Sequence, residues 1–468
     1  MILENYTENG LIYENDSKEV LIGYEEYYAF PEEIVLPSSL KAIEAHALEN
    51  LKAPASKLII PESCEAIKKF AFSKAVLASL EIKDGLKKIG KLAFNGARIN
   101  EFILPKSVTE LEEGALISLE TTSIDLRNIQ YFGKACLKLT NIKEAVFSEN
   151  VKDIKPGVLE SSLVEKITYE SNLPIPAEFC RDCVLLKEFT LLSVPESIDS
   201  EAFFNTPLLE TFIFPEGLKK IGSNAFFSSG LTSVTIPSTV QSIKSYAFQS
   251  CENLKDFAII PGAKLTLGTC FLSSTAITVL TIPSSVVQFL EYSCSEMYKL
   301  KRLTVNASVN SLPPCFAQHC SSLETVELAP NIKLLESRSF EDTGLFEINE
   351  NFKNIEYFGN QCFSSNERLQ RAYIYENTAL GNSIFEYCTN LKYIVSMRNQ
   401  DMSAFKDMPE NVNIYLPDEE GNYDKSLIKD LDRVDTETKE INENLLDTMS
   451  FRKASKYINN ISKTYAER

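Results

Sequence analysis

Eleven cysteines and two histidines are the residues best equipped for chemistry in this chain, and their spacing decides what they could do. Cys180-Arg-Asp-Cys183 has the C-x-x-C form of a redox dithiol or of half a zinc site. Cys315, His319 and Cys320 form the sequence's Cys/His cluster, the raw material of a thiol–imidazole pair. Both fall short. A zinc site needs a second pair or a ligating histidine, and a catalytic dyad needs a third group to orient the imidazole. Neither is identifiable from the sequence. His46 stands alone and reads as a surface residue. No phosphate-cradling G-x-x-x-x-G-K-[ST], dinucleotide G-x-G-x-x-G, nucleophile elbow G-x-S-x-G or zincin H-E-x-x-H occurs. The chain therefore reads as non-enzymatic, with no catalytic residue, metal site or cofactor expected.

Composition narrows the classes further. With 65 acidic against 47 basic residues the net charge is −18, which argues against a phosphate backbone as ligand. At 44% hydrophobic residues the chain can bury enough surface to offset its ordering entropy, so it is not disordered. A length of 468 residues would ordinarily mean three domains. An internal repeat overrides that expectation.

Ile89-Gly-Lys-Leu-Ala93-Phe94, Ile221-Gly-Ser-Asn-Ala225-Phe226 and Ile243-Lys-Ser-Tyr-Ala247-Phe248 share one pattern. An apolar residue, three variable ones, then Ala-Phe follow a short alternating strand and often a proline, as in Val234-Thr-Ile236-Pro237. The Phe slot starts at Leu48, Phe72 and Phe94, passes Cys180, Phe203, Phe226, Phe248 and Phe271, and continues through Cys294, Ala317 and Phe340 to Phe405. That makes 17 units at a mean spacing near 22. The slot five residues earlier is apolar except at Thr266 and Gln400. A unit this short cannot bury its own apolar residues, so the units must stack into one continuous core.

This register also accounts for the thiols. Cys180 and Cys294 fall in the Phe slot, Cys136, Cys270 and Cys362 in the Ala slot, and Cys64 in the slot eight before Phe. Cys183, Cys251, Cys320 and Cys388 fall three after Phe. Ten of the eleven are thus core positions, where a free thiol behaves as a small hydrophobe. Reduced thiols also suit an intracellular compartment.

Strand-Pro-x-Ser-Val-x-x-Ile-x-x-x-Ala-Phe-x-x-Cys-x-x-Leu, matched almost slot for slot by Val234 to Leu254, resembles the BspA-like leucine-rich repeats. The resemblance implies an α/β leucine-rich-repeat solenoid, horseshoe-like and β-rich, with a parallel sheet of one short strand per repeat. It also implies protein binding, since members of that family are mostly surface or secreted proteins and those studied resemble adhesins.

Three regions are expected: a β-hairpin cap over 1–32, around the turn Asn15-Asp16-Ser17; the solenoid over 33–417; and an acidic helical C-terminal cap or tail over 418–468, read either as a cap on the solenoid or as a helix that docks a partner. The tail reading rests on Leu427, Leu431 and Val434, then Ile441, Leu445 and Met449, at helical spacing. Residues 418–451 carry 11 acidic and 4 basic residues. The N-terminus lacks a secretory pattern and no apolar run reaches membrane-spanning length. The expected location is therefore cytoplasmic or cytoskeletal, with a scaffold role. The alternative is a surface-exposed or released adhesin.

The middle residue of each strand tripeptide should face outward, on a surface fit for a protein partner. These residues are Val35, Ile59, Glu81, Ile103, Asp125, Thr190, Ile213, Thr235, Thr281, Thr304, Glu327 and Tyr373. No nucleic acid partner is expected, and the oligomeric state stays open.

Overall fold

The computed structural model describes residues 5–121, 123–397 and 400–415. They fall in two compact units, one ending at Ala276 and one beginning at Ile277.

The first unit opens with an antiparallel meander, Tyr6–Glu8, Leu11–Tyr13 and Val20–Tyr24. Val20–Tyr24 then pairs in parallel with Ala42–Ile43, which hands on to Ala66–Ile67, Lys88–Ile89, Glu110–Leu111, Tyr131–Phe132 and Asp153–Ile154. These two-residue strands carry the apolar slot five before Phe. On another side of each coil run the alternating strands, Glu33–Val35, Lys52–Ile60, Val76–Ile82 and Arg98–Ile103. Later sets are Glu144–Phe147, Lys166–Tyr169 and Glu188–Leu191, then Ser233–Ile236 and Asp256–Ile259. Most coils thus contribute to two parallel ladders where the sequence pattern suggested one. A two-residue strand is too short to show alternation, so it left no period-two signal.

The third side of the coil holds the Ala-Phe segment. The residues two before and two after the slot are left-handed: His46 and Asn50 around Leu48 at φ 65° and 61°, Phe70 and Lys74 around Phe72 at 59° and 56°. The same pair recurs along both units, for example at Tyr246 and Ser250, Arg338 and Asp342, and Gln361 and Ser365. A side chain in this conformation costs about 1 kcal/mol or more. Hydrogen bonds to the next coil offset it. Leu48 N–H donates to Ala71 C=O at 2.8 Å, Phe72 N–H to Ala93 C=O at 2.7 Å, and Phe94 N–H to Ala115 C=O at 2.9 Å.

A segment that changes hand twice within six residues cannot be an α-helix. The α/β class is accordingly corrected to a β-solenoid: among the described residues there are strands and two short 3-10 turns, Glu350–Phe352 and Met402–Phe405, and no α-helix. The expected helical tail finds no support in this architecture, and residues 418–468 lie outside the described residues.

The second unit repeats the two-ladder plan. Val279–Ile282, Arg302–Val305 and Thr325–Leu328 form one set of alternating strands. Glu347–Ile348, Arg371–Ile374, Tyr393–Ser396 and Asn413–Tyr415 form another. The short strands are Ser311–Leu312, Leu334–Leu335, Tyr357–Phe358 and Ala379–Leu380.

Phenylalanines in the slot stack at nearly the strand spacing. Phe72 and Phe94 lie 4.8 Å apart and almost parallel, as do Phe203 and Phe226 at 5.1 Å and Phe226 and Phe248 at 5.4 Å. One register needs correction. Left-handed Cys270 and Ser274 flank Leu272, and Phe248 N–H bonds Phe271 C=O as Phe226 N–H bonds Ala247 C=O. Leu272 therefore fills the Phe slot, Phe271 the Ala slot, and Cys270 the left-handed position. The slot five earlier becomes Leu267, paired with Ile243, so Thr266 is no exception to the apolar rule.

Candidate protein-binding face

The strands that carry the outward face alternate as the pleat demands. In Ser233–Ile236, Val234 and Ile236 are buried while Ser233 and Thr235 are exposed. Val35, Ile103, Asp125, Thr235, Thr281 and Glu327 likewise face solvent, and Ile213 is 83% exposed. Ile59, Glu81, Thr190 and Thr304 are half-buried. Several polar members are already engaged. Lys57 and Lys83 hold Glu81 between them, the former at 2.7 Å, and keep its carboxyl below the usual carboxylate range. Asp125 meets Arg127 at 3.4 Å, and Thr304 donates to Glu327 at 3.3 Å. Tyr373 departs from the expectation. It is 1% exposed, packed with Val395 and Tyr415.

The structure brings two of these residues together at one groove and adds others. After Glu188–Leu191 the chain runs on as Leu192-Ser193-Val194 before Pro195, where the regular repeat turns at once. The extra length pushes Leu192 and Val194 outward, and Leu192 is 65% exposed. The next coil, through Thr211 to Phe214, takes no strand pairing. Between them lies a groove of about 410 Å³, lined by Thr190, Leu192, Val194, Thr211, Ile213 and Pro215. Leu192 and Val194 escaped the tripeptide rule. The late proline was the sequence signal that could have found them.

The thiols take structural places. All eleven cysteines are free and buried. In the slot three after Phe the thiol donates to the slot carbonyl of the preceding coil: Cys183 to Leu159 at 3.0 Å, and Cys251 to Phe226, Cys320 to Cys294 and Cys388 to Phe363, each at 3.1 Å. Asn366 does the same work at that slot, bonding Phe340 C=O at 2.9 Å. Burial pushes Cys251 up to about 11 and Cys320 to about 12, and holds Cys180 well above the ordinary thiol value. These are poor nucleophiles at neutral pH.

His319 does gain the orienting carboxylate that the sequence could not supply, with Nδ1 2.8 Å from Asp342 Oδ2. The thiol beside it in sequence, Cys320, is turned to Cys294 C=O instead. Cys315, four residues before it, is raised by burial, opposed by a hydrogen bond with Tyr292. His46 pairs with Glu49 at the surface. Among the described residues no cluster of three His, Cys, Asp or Glu side chains could hold a metal ion. What the face offers is apolar surface and hydrogen-bonding side chains.

The sequence model of the BspA type leucine rich repeat region, in six copies, matches residues 22–116, 65–176, 173–301 and 288–410. No curated protein matches the chain. Among solved structures, a leucine-rich repeat protein from Bacteroides ovatus is 16% identical over 89% of this chain and 98% of its own, with a TM-score of 0.47. A leucine rich cell surface protein from Faecalibacterium prausnitzii is 16% identical over 88% and 94%, with a TM-score of 0.30. The pneumococcal vaccine antigen PcpA is 16% identical over 91% and 96%, with a TM-score of 0.35.

Proposed function

Because the chain belongs to the BspA-type leucine-rich repeat family, we propose that it is a non-enzymatic binding protein that takes a protein partner on its outward strand face. The observation that carries this reading is the groove at Leu192, Val194 and Ile213. Apolar side chains stand exposed there together beside about 410 Å³ of open groove, at a place where the ladder gives up its pairing. Singly exposed apolar residues are ordinary, whereas a contiguous set bordering a groove marks an interaction site. The repeat family supplies binding surfaces of this kind and is not typically catalytic.

We propose further that this binding takes place outside the cell, as an adhesin or surface antigen, on the strength of the family resemblance. Among the described residues no helix is long and apolar enough to cross a membrane. A second reading, an intracellular scaffold, has one observation in its favour: eleven thiols, all buried and none bridged. Biotinylation of intact cells with an impermeant reagent separates the two. Labelling of the native protein supports the surface reading, and labelling only after lysis supports the scaffold. Capture with wild-type protein beside Ile213→Glu and Leu192→Glu tests the face itself. A partner retained equally by all three removes the groove from the account.

A further inference from the structure

We propose that Cys180 and Cys183 form a disulfide when the chain folds in contact with a low-molecular-weight disulfide oxidant, and that the closed coil then shields the bridge from reductant. In this coil alone cysteine fills both the Phe slot and the slot three after it. Both slots turn inward, and both side chains are 0% exposed. Between them Asp182 is left-handed at φ 58°, and Cys183 N–H donates to Cys180 C=O at 3.1 Å. That hydrogen bond closes a four-residue turn, whose end Cα atoms lie within about 7 Å. A disulfide spans about 4.4–6.8 Å between Cα atoms, so the turn brings the pair into bridging range with the backbone as it stands.

The two sulfurs already meet. Burial raises the Cys180 thiol, and a hydrogen bond with the Cys183 thiol raises it further. Cys183 can also leave its present partner. Its thiol donates to Leu159 C=O at 3.0 Å, but Ser162 N–H holds the same carbonyl at 2.9 Å. Oxidation therefore strands no buried acceptor. Cys251, Cys320 and Cys388 have Phe248, Ala317 and Phe385 in the slot of their own coil, which offer no second sulfur.

The exchange takes two steps, and both belong to the opened coil, where a thiol ionises normally. The thiolate of one cysteine attacks a sulfur of the oxidant, whose other half leaves as a thiol after taking up a proton. The thiolate of the second cysteine then attacks the protein sulfur of this mixed disulfide and releases the other half. In sum the dithiol gives up two electrons and two protons, and the oxidant becomes two thiols. The inference stands whether the chain works inside the cell or outside, and whether or not the groove binds a partner.

Refolding from urea in a mixture of oxidised and reduced glutathione tests this. Chains are quenched in acid, blocked with N-ethylmaleimide in urea, digested and mapped by mass spectrometry. The peptide holding Cys180 and Cys183 should lack two hydrogens, with the other nine cysteines blocked. Cys180→Ala and Cys183→Ser should each abolish the bridge. Both are residues the repeat already accepts, as Ala317 in the Phe slot and as Ser162 and Ser229 three after it. In the refolded protein dithiothreitol should open the bridge about ten-fold or more slowly than in urea. Both thiols blocked after refolding, a bridge to any other cysteine, or glutathione left on either one overturns the proposal. So does a bridge reduced as fast in the folded protein as in urea. Should the chain fail to refold, folded protein is held in the same mixture at the foot of its urea transition, where coils open transiently, and the same map decides.

Discussion

Ile213 and Tyr373 occupy the same slot of the repeat, one in each unit, and meet opposite fates. Ile213 stands almost fully in solvent beside a groove, while Tyr373 has lost nearly all its exposure. The backbone pleat is common to both, so the repeat determines only which way a side chain points. What lies around it is set by local departures: a late proline and an unpaired coil at Ile213, a cluster of Val395, Tyr415, Tyr375 and Tyr393 at Tyr373.

The largest effect that could break this contrast is on stability. Tyr373→Ala should cost about 3–5 kcal/mol, as truncation of a large buried side chain does, whereas Ile213→Ala should stay within about 0.5 kcal/mol. Urea denaturation of both variants checks the pair, and equal losses would erase the distinction. A finer comparison sets Tyr373 beside Tyr169. Tyr169 Oη donates to the carbonyls of Leu173 and Pro174 at 3.1 and 3.2 Å, but Tyr373 Oη makes no well-formed hydrogen bond and meets only the neighbouring Tyr393 hydroxyl. Tyr169→Phe should therefore lose about 1 kcal/mol while Tyr373→Phe is neutral or stabilising.

At the open groove the expected change is in binding. Ile213→Glu should weaken partner capture about ten-fold or more without moving the urea midpoint, because it places a charge in an apolar contact. Titration of the thiols gives a smaller, distributed effect. Burial holds Cys64 and Cys251 at about 11 and Cys320 and Cys388 at about 12, against an ordinary value of 9.0. Unfolding frees them to ionise, so the native state holds more protons above pH 9. Their contribution is fully present below about pH 9 and is lost as pH rises through 11 to 12. A urea series across that range should show the midpoint falling. Smallest of all is Lys57→Met. Its ion pair with Glu81 is solvent-screened, and the midpoint should not move.

Much of this was legible in the sequence because the repeat writes the same physical demand many times. The Phe slot, the apolar slot before it and the core placement of the cysteines could all be read from period alone. Two features could not. The left-handed positions are held by His46, Phe70, Leu92, Glu178 and Tyr246 as readily as by Gly96 and Gly114, so residue type does not betray them. Coil-to-coil hydrogen bonds impose that conformation from outside the residue. The second ladder, built of two-residue strands, was invisible for want of length. The Phe271 register slipped because two apolar residues, Phe271 and Leu272, compete for one slot and only the backbone ladder decides between them. At the face, the tripeptide rule found Ile213 but missed Leu192 and Val194, which lie beyond the strand's usual end. It also placed Tyr373 outward without any means of seeing that neighbouring Tyr393, Val395 and Tyr415 bury it there.

Cross-linking in the native cells tests the claim about the face most directly. A photo-cross-linking residue at position 213 is compared with one at position 246, which is also exposed but sits on the arc of left-handed residues. Irradiation should yield a discrete protein adduct from 213 and none from 246. The same adduct from both positions, or an adduct from 246 alone, would contradict a partner bound on the strand face.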